Sequence, residues 1–220
     1  MAKDLIIIGA GTDGRIAAEL VEDIGNEWNL LGYLDDDPKK QGIEMNGFPV
    51  LGKIADATKY HNCYFVIMLG SPQNYFTKKR VVTELGIAME NYATLIHPDA
   101  KVSRYTDIGR GTVIMSEVAI MPNCKIGNHV WILPQVYIGN DTEIGDYTTI
   151  VESTTHAGEG VVKEGAYIGL NSSIIENITI GEWSLIGMGS VVIRNVPAYH
   201  VVVGNPARIL RKLDPAEFQL

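Results

Sequence analysis

From Val102 to Ala198 the chain repeats every six residues, and the register never slips. Val or Ile occupies 15 of these 17 positions, although the two make up only 45 of all 220 residues. The exceptions are His156 and Ala198. Two places before each runs a second column, from Thr106, Thr112, Val118 and Cys124 through Thr154, Gly160 and Ala166 to Val196, in which every member is small or β-branched. Glycine follows the aliphatic residue at 109, 127, 139, 145, 169, 181 and 187. A hexad with one large and one small inward residue describes a short flat strand and a corner. Three hexads close one triangular coil of a parallel β-helix, and the run gives about five coils. Coils stacked at the strand spacing of about 4.8 Å fill the prism with the aliphatic column. A helix would need a 3.6-residue period, which is absent.

Residues 1–94 follow another rule. Short apolar runs (Leu5 to Ile8, Leu30 to Leu34, Tyr64 to Leu69) alternate with helix-length segments (Arg15 to Asp23, Tyr75 to Leu85). That alternation predicts βαβ units and a parallel sheet, an α/β Rossmann-like domain. The turn after the first run reads Gly9-Ala10-Gly11-Thr12-Asp13-Gly14, the G-x-G-x-x-G spacing. It brings backbone N–H groups and a helix N-terminus up to a phosphate. Asp35, Asp36 and Asp37 close the next strand, where a carboxylate that reads a ribose or base belongs. Gly11, Thr12, Asp13, Asp35, Asp36 and Gly52 are the candidate nucleotide-binding residues. The same acids before Pro38 also fit a solvated turn, with the glycines serving close strand and helix packing.

The net charge of -8, with no cluster of Lys and Arg, argues against a nucleic-acid surface or an anionic membrane. Cys63 and Cys124 stand alone, which supports neither a disulfide framework nor a cysteine metal site, and no metal is expected. The opening apolar run is too short for a signal-peptide core, and no 18-residue apolar stretch occurs, so a cytoplasmic protein without a membrane span is expected.

The hexads resemble those of left-handed β-helix acyltransferases. The order of parts narrows the resemblance: a small nucleotide-binding domain, the linker Leu95-Ile96-His97-Pro98-Asp99-Ala100, the β-helix over 95–206, and the closing Val203-Gly204-Asn205-Pro206-Ala207-Arg208. Together they resemble the sugar acetyltransferases of the sialic-acid O-acetyltransferase and bacillosamine N-acetyltransferase group. The resemblance implies left-handed coiling, a homotrimer, acetyl-CoA as co-substrate between neighbouring β-helices, and a nucleotide-linked sugar on the N-terminal domain. A tail over 207–220, with a short basic helix at 207–212, is expected to follow.

In that group the segment matching Tyr137 to Gly145 carries a catalytic histidine followed by an acid. This chain has Asn140 and Asp141 there. The resemblance further implies that the Gly158 N–H meets the thioester carbonyl, and that Thr149, Leu170 and Met188 touch the cofactor. Gly158 lies 18 residues after Asn140, so a triangular coil puts both in one column. His156 is the alternative base, although its register equally suits a buried core residue. His129 falls on an outward position that can reach a neighbouring subunit, and His97 is expected to pin the turn at the domain junction.

Two functions follow. One is acetyl transfer from acetyl-CoA, by direct attack, to a nucleotide-linked amino sugar for surface glycan synthesis. The other is a catalytically weakened trimeric module that binds nucleotide or CoA, because an asparagine amide accepts no proton at position 140.

Overall fold

The computed structural model describes residues 2–218. It opens with β1 (Lys3–Ile8), α1 (Thr12–Ile24) and β2 (Trp28–Leu34), followed by the hairpin β3 (Glu44–Met45) and β4 (Phe48–Gly52), then β5 (Tyr64–Ile67) and α2 (Thr77–Leu85). The sheet order is β3-β4-β2-β1-β5, parallel except for β3. Leu5 to Ile8 are completely buried, as a central parallel strand covered on both faces requires. The hairpin β3-β4 was not foreseen, because Pro38, Gly42, Gly47 and Pro49 break the apolar pattern there.

From Leu95 onward every two-residue strand pairs with the strand 18 residues away, as in Ala119 with Lys101 and Tyr137. The three faces of the resulting prism have six, five and eight strands. Main-chain bonds such as Met115 N to Ile132 O (3.0 Å) tie coil to coil. Inside, Ile114, Ile132, Ile138, Ile168 and Ile186 are fully buried. The small column satisfies its own hydroxyls: Thr112 Oγ1 donates to Gly127 O (2.8 Å) and Ser184 Oγ to Gly181 O (2.6 Å). The corners turn on left-handed residues, among them Glu117, Asn123, His129, Asp141, Tyr147, Glu159 and Trp183, with φ between 49° and 62°. Cys124 is prism filler, its Sγ 3.2 Å from Gly139 O.

Two expectations need correction. Residues 208–212 form a strand, not a helix: Arg208–Lys212 pairs antiparallel with His200–Val203. The turn at Gly204-Asn205-Pro206 folds the chain back, so the segment completes sheet hydrogen bonds that five residues of isolated helix cannot match. His129 is also buried rather than facing a neighbour. Its ring stacks parallel on Tyr147 (5.4 Å) and meets Tyr92 edge-on (4.5 Å), because the N-terminal domain covers that corner.

The N-terminal domain lies on the eight-stranded face. Apolar side chains of α1 and the sheet share one core with Val113, Met115, Trp131 and Leu133. Around α2, Tyr75 Oη donates to Trp183 O (2.8 Å), Lys78 Nζ to His129 O (3.0 Å), and Lys79 Nζ pairs with Glu164 (2.6 Å). His97 does hold the junction. Its Nδ1 accepts the Asp99 N–H (3.0 Å), which leaves Nε2 to donate to Asp23 (3.2 Å).

Candidate functional site

The glycine turn is shaped from two sides. A side chain on Gly14 would overlap the Gly9 carbonyl, so Gly14 sets the close approach of α1 to β1. Gly11, the residue before α1, faces open space, and its lack of a side chain keeps the helix N-terminus accessible. Asp35 holds the turn from behind: Oδ2 accepts from Ala10 N (2.7 Å) and Lys40 Nζ (2.8 Å), and Oδ1 from Asp37 N (2.8 Å). Burial works against its charge, but the bonds from Lys40, Asp37 and Ala10 outweigh it and keep the carboxyl below its ordinary range. Asp35 is thus a bracket, and Gly52, whose carbonyl accepts the Asp35 N–H (3.0 Å), supports that bracket. Asp36 is exposed and, among the described residues, engaged only through Oδ1, with Ile54 N (2.9 Å). It borders a cleft of about 350 Å³ with Leu69, Arg80 and Glu84, outside the carboxyl ends of the parallel strands.

A second cleft, of about 220 Å³, opens at the seam between the domains. Asp13 and Ser71 line one side, and Trp131, Thr149, Glu152 and Tyr167 the other. Burial pushes the Asp13 carboxyl up to about 6; Lys78 opposes the shift and Glu152 adds to it. Burial likewise raises the Tyr167 hydroxyl to about 12, so it remains a donor. Thr149, 7% exposed, belongs to this cleft. Leu170 and Met188 stand one coil apart on an outer corner, 41% and 76% exposed, in the same column as Glu152.

The corner that carries Asn140 and Gly158 has a distinct chemistry. Asn140 O accepts the Glu159 N–H (2.8 Å), and Gly158, at φ 131°, lies against Asn140. Among the described residues, no acceptor takes the Gly158 N–H. Asn140 Nδ2 donates to Asp141 Oδ2 (2.5 Å), and Asn123 Nδ2 to Asp141 Oδ1 (3.1 Å). These amides hold the Asp141 carboxyl below its usual range. The carboxylate fixes the Asn140 amide so that Nδ2 is occupied and Oδ1 remains an acceptor.

His156 is not at this corner. It sits inside the prism between Ile138 and Ile174, 2% exposed, with neither ring nitrogen bonded among the described residues and its basicity pushed down to about 4 by burial. A base there cannot meet a substrate, and the structure gives this histidine its buried reading. No group of three His, Cys, Asp or Glu residues suited to a metal occurs among the described residues, and no helix is long and apolar enough to cross a membrane. Ser71, Glu152, Tyr167 and Arg80 went unnoticed in the sequence. The turn after β5, opposite the glycine turn, is the signal that points to Ser71.

Comparison with known proteins gives a consistent picture. Residues 4–102 match the PglD N-terminal domain, and residues 123–155 match the bacterial transferase hexapeptide family. The chain is 30% identical over 217 residues to GDP-perosamine N-acetyltransferase of Escherichia coli O157:H7, covering 94% of this chain and 96% of that protein. Among solved structures, it is similar to the acetyltransferase domain of PglB from Neisseria gonorrhoeae FA1090 in complex with acetyl coenzyme A. That match has 27% identity and a TM-score of 0.84, and covers 96% and 100% of the two chains. It is also similar to PerB from Caulobacter crescentus in complex with CoA and GDP-perosamine, with 25% identity, a TM-score of 0.83, and 96% and 99% covered.

Proposed function

The chain belongs to the hexapeptide-repeat sugar N-acetyltransferases with a PglD-type N-terminal domain, and on that premise we propose that it acetylates the amine of a nucleotide-linked amino sugar without a histidine base. Acetyl-CoA is the co-substrate. The carrying observation is the pairing of an unengaged Gly158 N–H with a fixed Asn140 amide in one corner column. Asn140 Oδ1 accepts one N–H of the neutral amine and turns its lone pair to the thioester carbon. As the N–C bond forms, the carbonyl oxygen gathers charge and the Gly158 N–H receives it. The C–S bond then breaks, the excess proton on nitrogen passes to the leaving thiolate, and amide and free thiol result. An amine needs less base assistance than a hydroxyl, which suits a corner without histidine.

In this reading residues 1–94 form a Rossmann-like domain, 95–206 a left-handed β-helix, and 207–220 a tail closed by the terminal hairpin. The nucleotide lies across the glycine turn and the cleft beside Asp36. A homotrimer brings the Asn140 corner of one subunit to the Leu170 and Met188 corner of the next, with Thr149 beside the cofactor and Asp13 and Glu152 facing the sugar. Acetyl-CoA and nucleotide sugars place the reaction in the cytoplasm. GDP-perosamine is the first acceptor to try, given the relatives' names. Asn140 also favours a second reading, a binding module with little turnover.

Thiol release from acetyl-CoA, measured with GDP-, UDP- and dTDP-linked amino sugars and their hydroxyl counterparts, separates these readings. Turnover with one amino sugar and none with its hydroxyl counterpart is expected. Silence with every acceptor, alongside measurable CoA binding, would favour the binding module.

A further inference from the structure

Beyond the terminal hairpin the chain returns to the seam between the domains. Leu213 N donates to Tyr199 O (2.7 Å), and Asp214 Oδ1 accepts from Ala216 N (3.0 Å), which opens a turn of 3-10 helix over Pro215–Phe218. That turn delivers the Phe218 ring, 2% exposed, into an aromatic pocket to which both domains contribute. Trp183 (5.8 Å between ring centres) and Tyr199 (5.6 Å) come from the prism, and Tyr75 (5.9 Å) and Phe76 (5.2 Å) from the residues before α2. Tyr75, Phe76 and Tyr199 meet it edge-on, at 70° to 73°, the arrangement that ring quadrupoles favour.

Tyr75 is the member that reaches the seam cleft. Its ring centre lies 5.6 Å from that of Tyr167, on the prism wall of the cleft. Its backbone closes on Gly70, on the opposite wall: a Cβ built on Gly70, at φ 129°, would stand 3.4 Å from Tyr75 Cα. Gly70 leads into Ser71, whose N–H and hydroxyl both donate to Asn74 Oδ1 (2.7 and 2.8 Å), so this wall is a tied turn that ends at Tyr75. Tyr75 therefore touches both walls from behind, and Phe218 packs on Tyr75.

We propose that Phe218 is a positioning residue for the acceptor sugar: packed on Tyr75, it holds the two walls of the seam cleft at the separation the sugar requires. The inference rests on the reading of that cleft as the sugar's place. It adds that a residue beyond the hairpin, far in sequence from either wall, sets the affinity for the sugar and not for the nucleotide. Binding groups keep their geometry only when the side chains behind them are locked by packing. The cleft beside Asp36 and Arg80, where the nucleotide lies in this reading, is lined by none of these rings.

Calorimetric titration of GDP and of GDP-perosamine into the native chain, Phe218→Ala, Phe218→Leu and Tyr167→Phe, with thermal unfolding of each, tests it. Phe218→Ala empties the pocket behind Tyr75. It should weaken GDP-perosamine about three- to tenfold, the scale of one lost hydrogen bond, and leave GDP unchanged. Phe218→Leu refills most of the volume and should recover most of the affinity. Tyr167→Phe should weaken GDP-perosamine alone, which tests the sugar reading by itself. Should Phe218→Ala fail to fold, Tyr75→Phe, which releases the ring from Trp183 O, should show the same selective weakening. A Phe218→Ala chain, or in its place a Tyr75→Phe chain, that unfolds earlier but binds both ligands as the native chain does would make the ring an adhesive between the domains. That result, or equal weakening of GDP and GDP-perosamine, would overturn the inference and leave the sugar reading to Tyr167→Phe. A native chain that binds GDP-perosamine no more tightly than GDP would overturn both.

Discussion

Asn140 Nδ2 donates to Asp141 Oδ2 at 2.5 Å, and that bond decides which end of the Asn140 amide is turned toward Gly158. With the donor end tied down, Oδ1 is presented as an acceptor beside Gly158. Asp141→Ala releases the amide to turn over. The expected result is a fall in kcat of about 10- to 100-fold from misplacement of the amine, with the KM for acetyl-CoA unchanged. An equal rise in KM with constant kcat would assign Asp141 to binding instead.

Gly11 and Gly14, in the turn after β1, separate packing from ligand approach. Gly14→Ala sets a methyl against the Gly9 carbonyl and should cost about 1 to 3 kcal/mol of stability by denaturant titration. Gly11→Ala meets no protein atom. It should leave stability nearly unchanged while weakening the nucleotide sugar about tenfold, as lost backbone approach to a phosphate implies.

Asp13 carries a pH signature. Its folded-state value, about 6, lies above the ordinary 3.8, so the folded chain holds a proton that the unfolded chain has released between these values. Stability from this group is present at low pH and falls as pH rises from about 4 to 6. Asp13→Asn should match the native chain near pH 4. Above pH 6 it should exceed it by about 1 to 2 kcal/mol, discounted for partial exposure. The same variant should bind the nucleotide sugar more tightly above pH 6, because an ionised carboxylate no longer faces the anion.

Lys78 fastens the two domains through His129 O (3.0 Å). Burial lowers its ammonium to about 8, against the opposing pull of Asp13. Because the folded value is depressed from 10.5, the unfolded chain binds the extra proton between about 8 and 10.5, and stability gains as pH rises through that window. Lys78→Met should abolish this rise. It also leaves a buried carbonyl unpaired, and near neutral pH the lost bond should cost about 1 to 3 kcal/mol in thermal or chemical unfolding.

The prism was legible because its inward column has one period over nearly a hundred residues, and a single slip would have turned every Ile outward. The same register marked His156 as interior. The glycine turn was legible through its spacing, but the division of labour inside it was not, since only coordinates show that Gly14 packs while Gly11 stays open. Arg208 to Lys212 misled because a short amphipathic stretch suits helix and strand alike, and the partner strand at His200 decides. His129 misled because the hexad defines inside and outside for an isolated prism, whereas α2 covers that corner. The seam cleft draws on residues 13, 71, 131, 149, 152 and 167, and their meeting depends on domain docking, which no local pattern encodes.

Acetyl transfer without a histidine base is tested most directly by the pH dependence of kcat at saturating acceptor, where the Asp13 effect on binding drops out, for the native chain and Asn140→His, using an amino-sugar acceptor that turns over. The native profile should rise with pH until the substrate amine is fully deprotonated, with no inflection near 6.5 from the enzyme. Asn140→His should be at least as fast and should add that inflection. A native profile that already bends near 6.5 would mean that a histidine of this chain takes the proton, and would contradict the account.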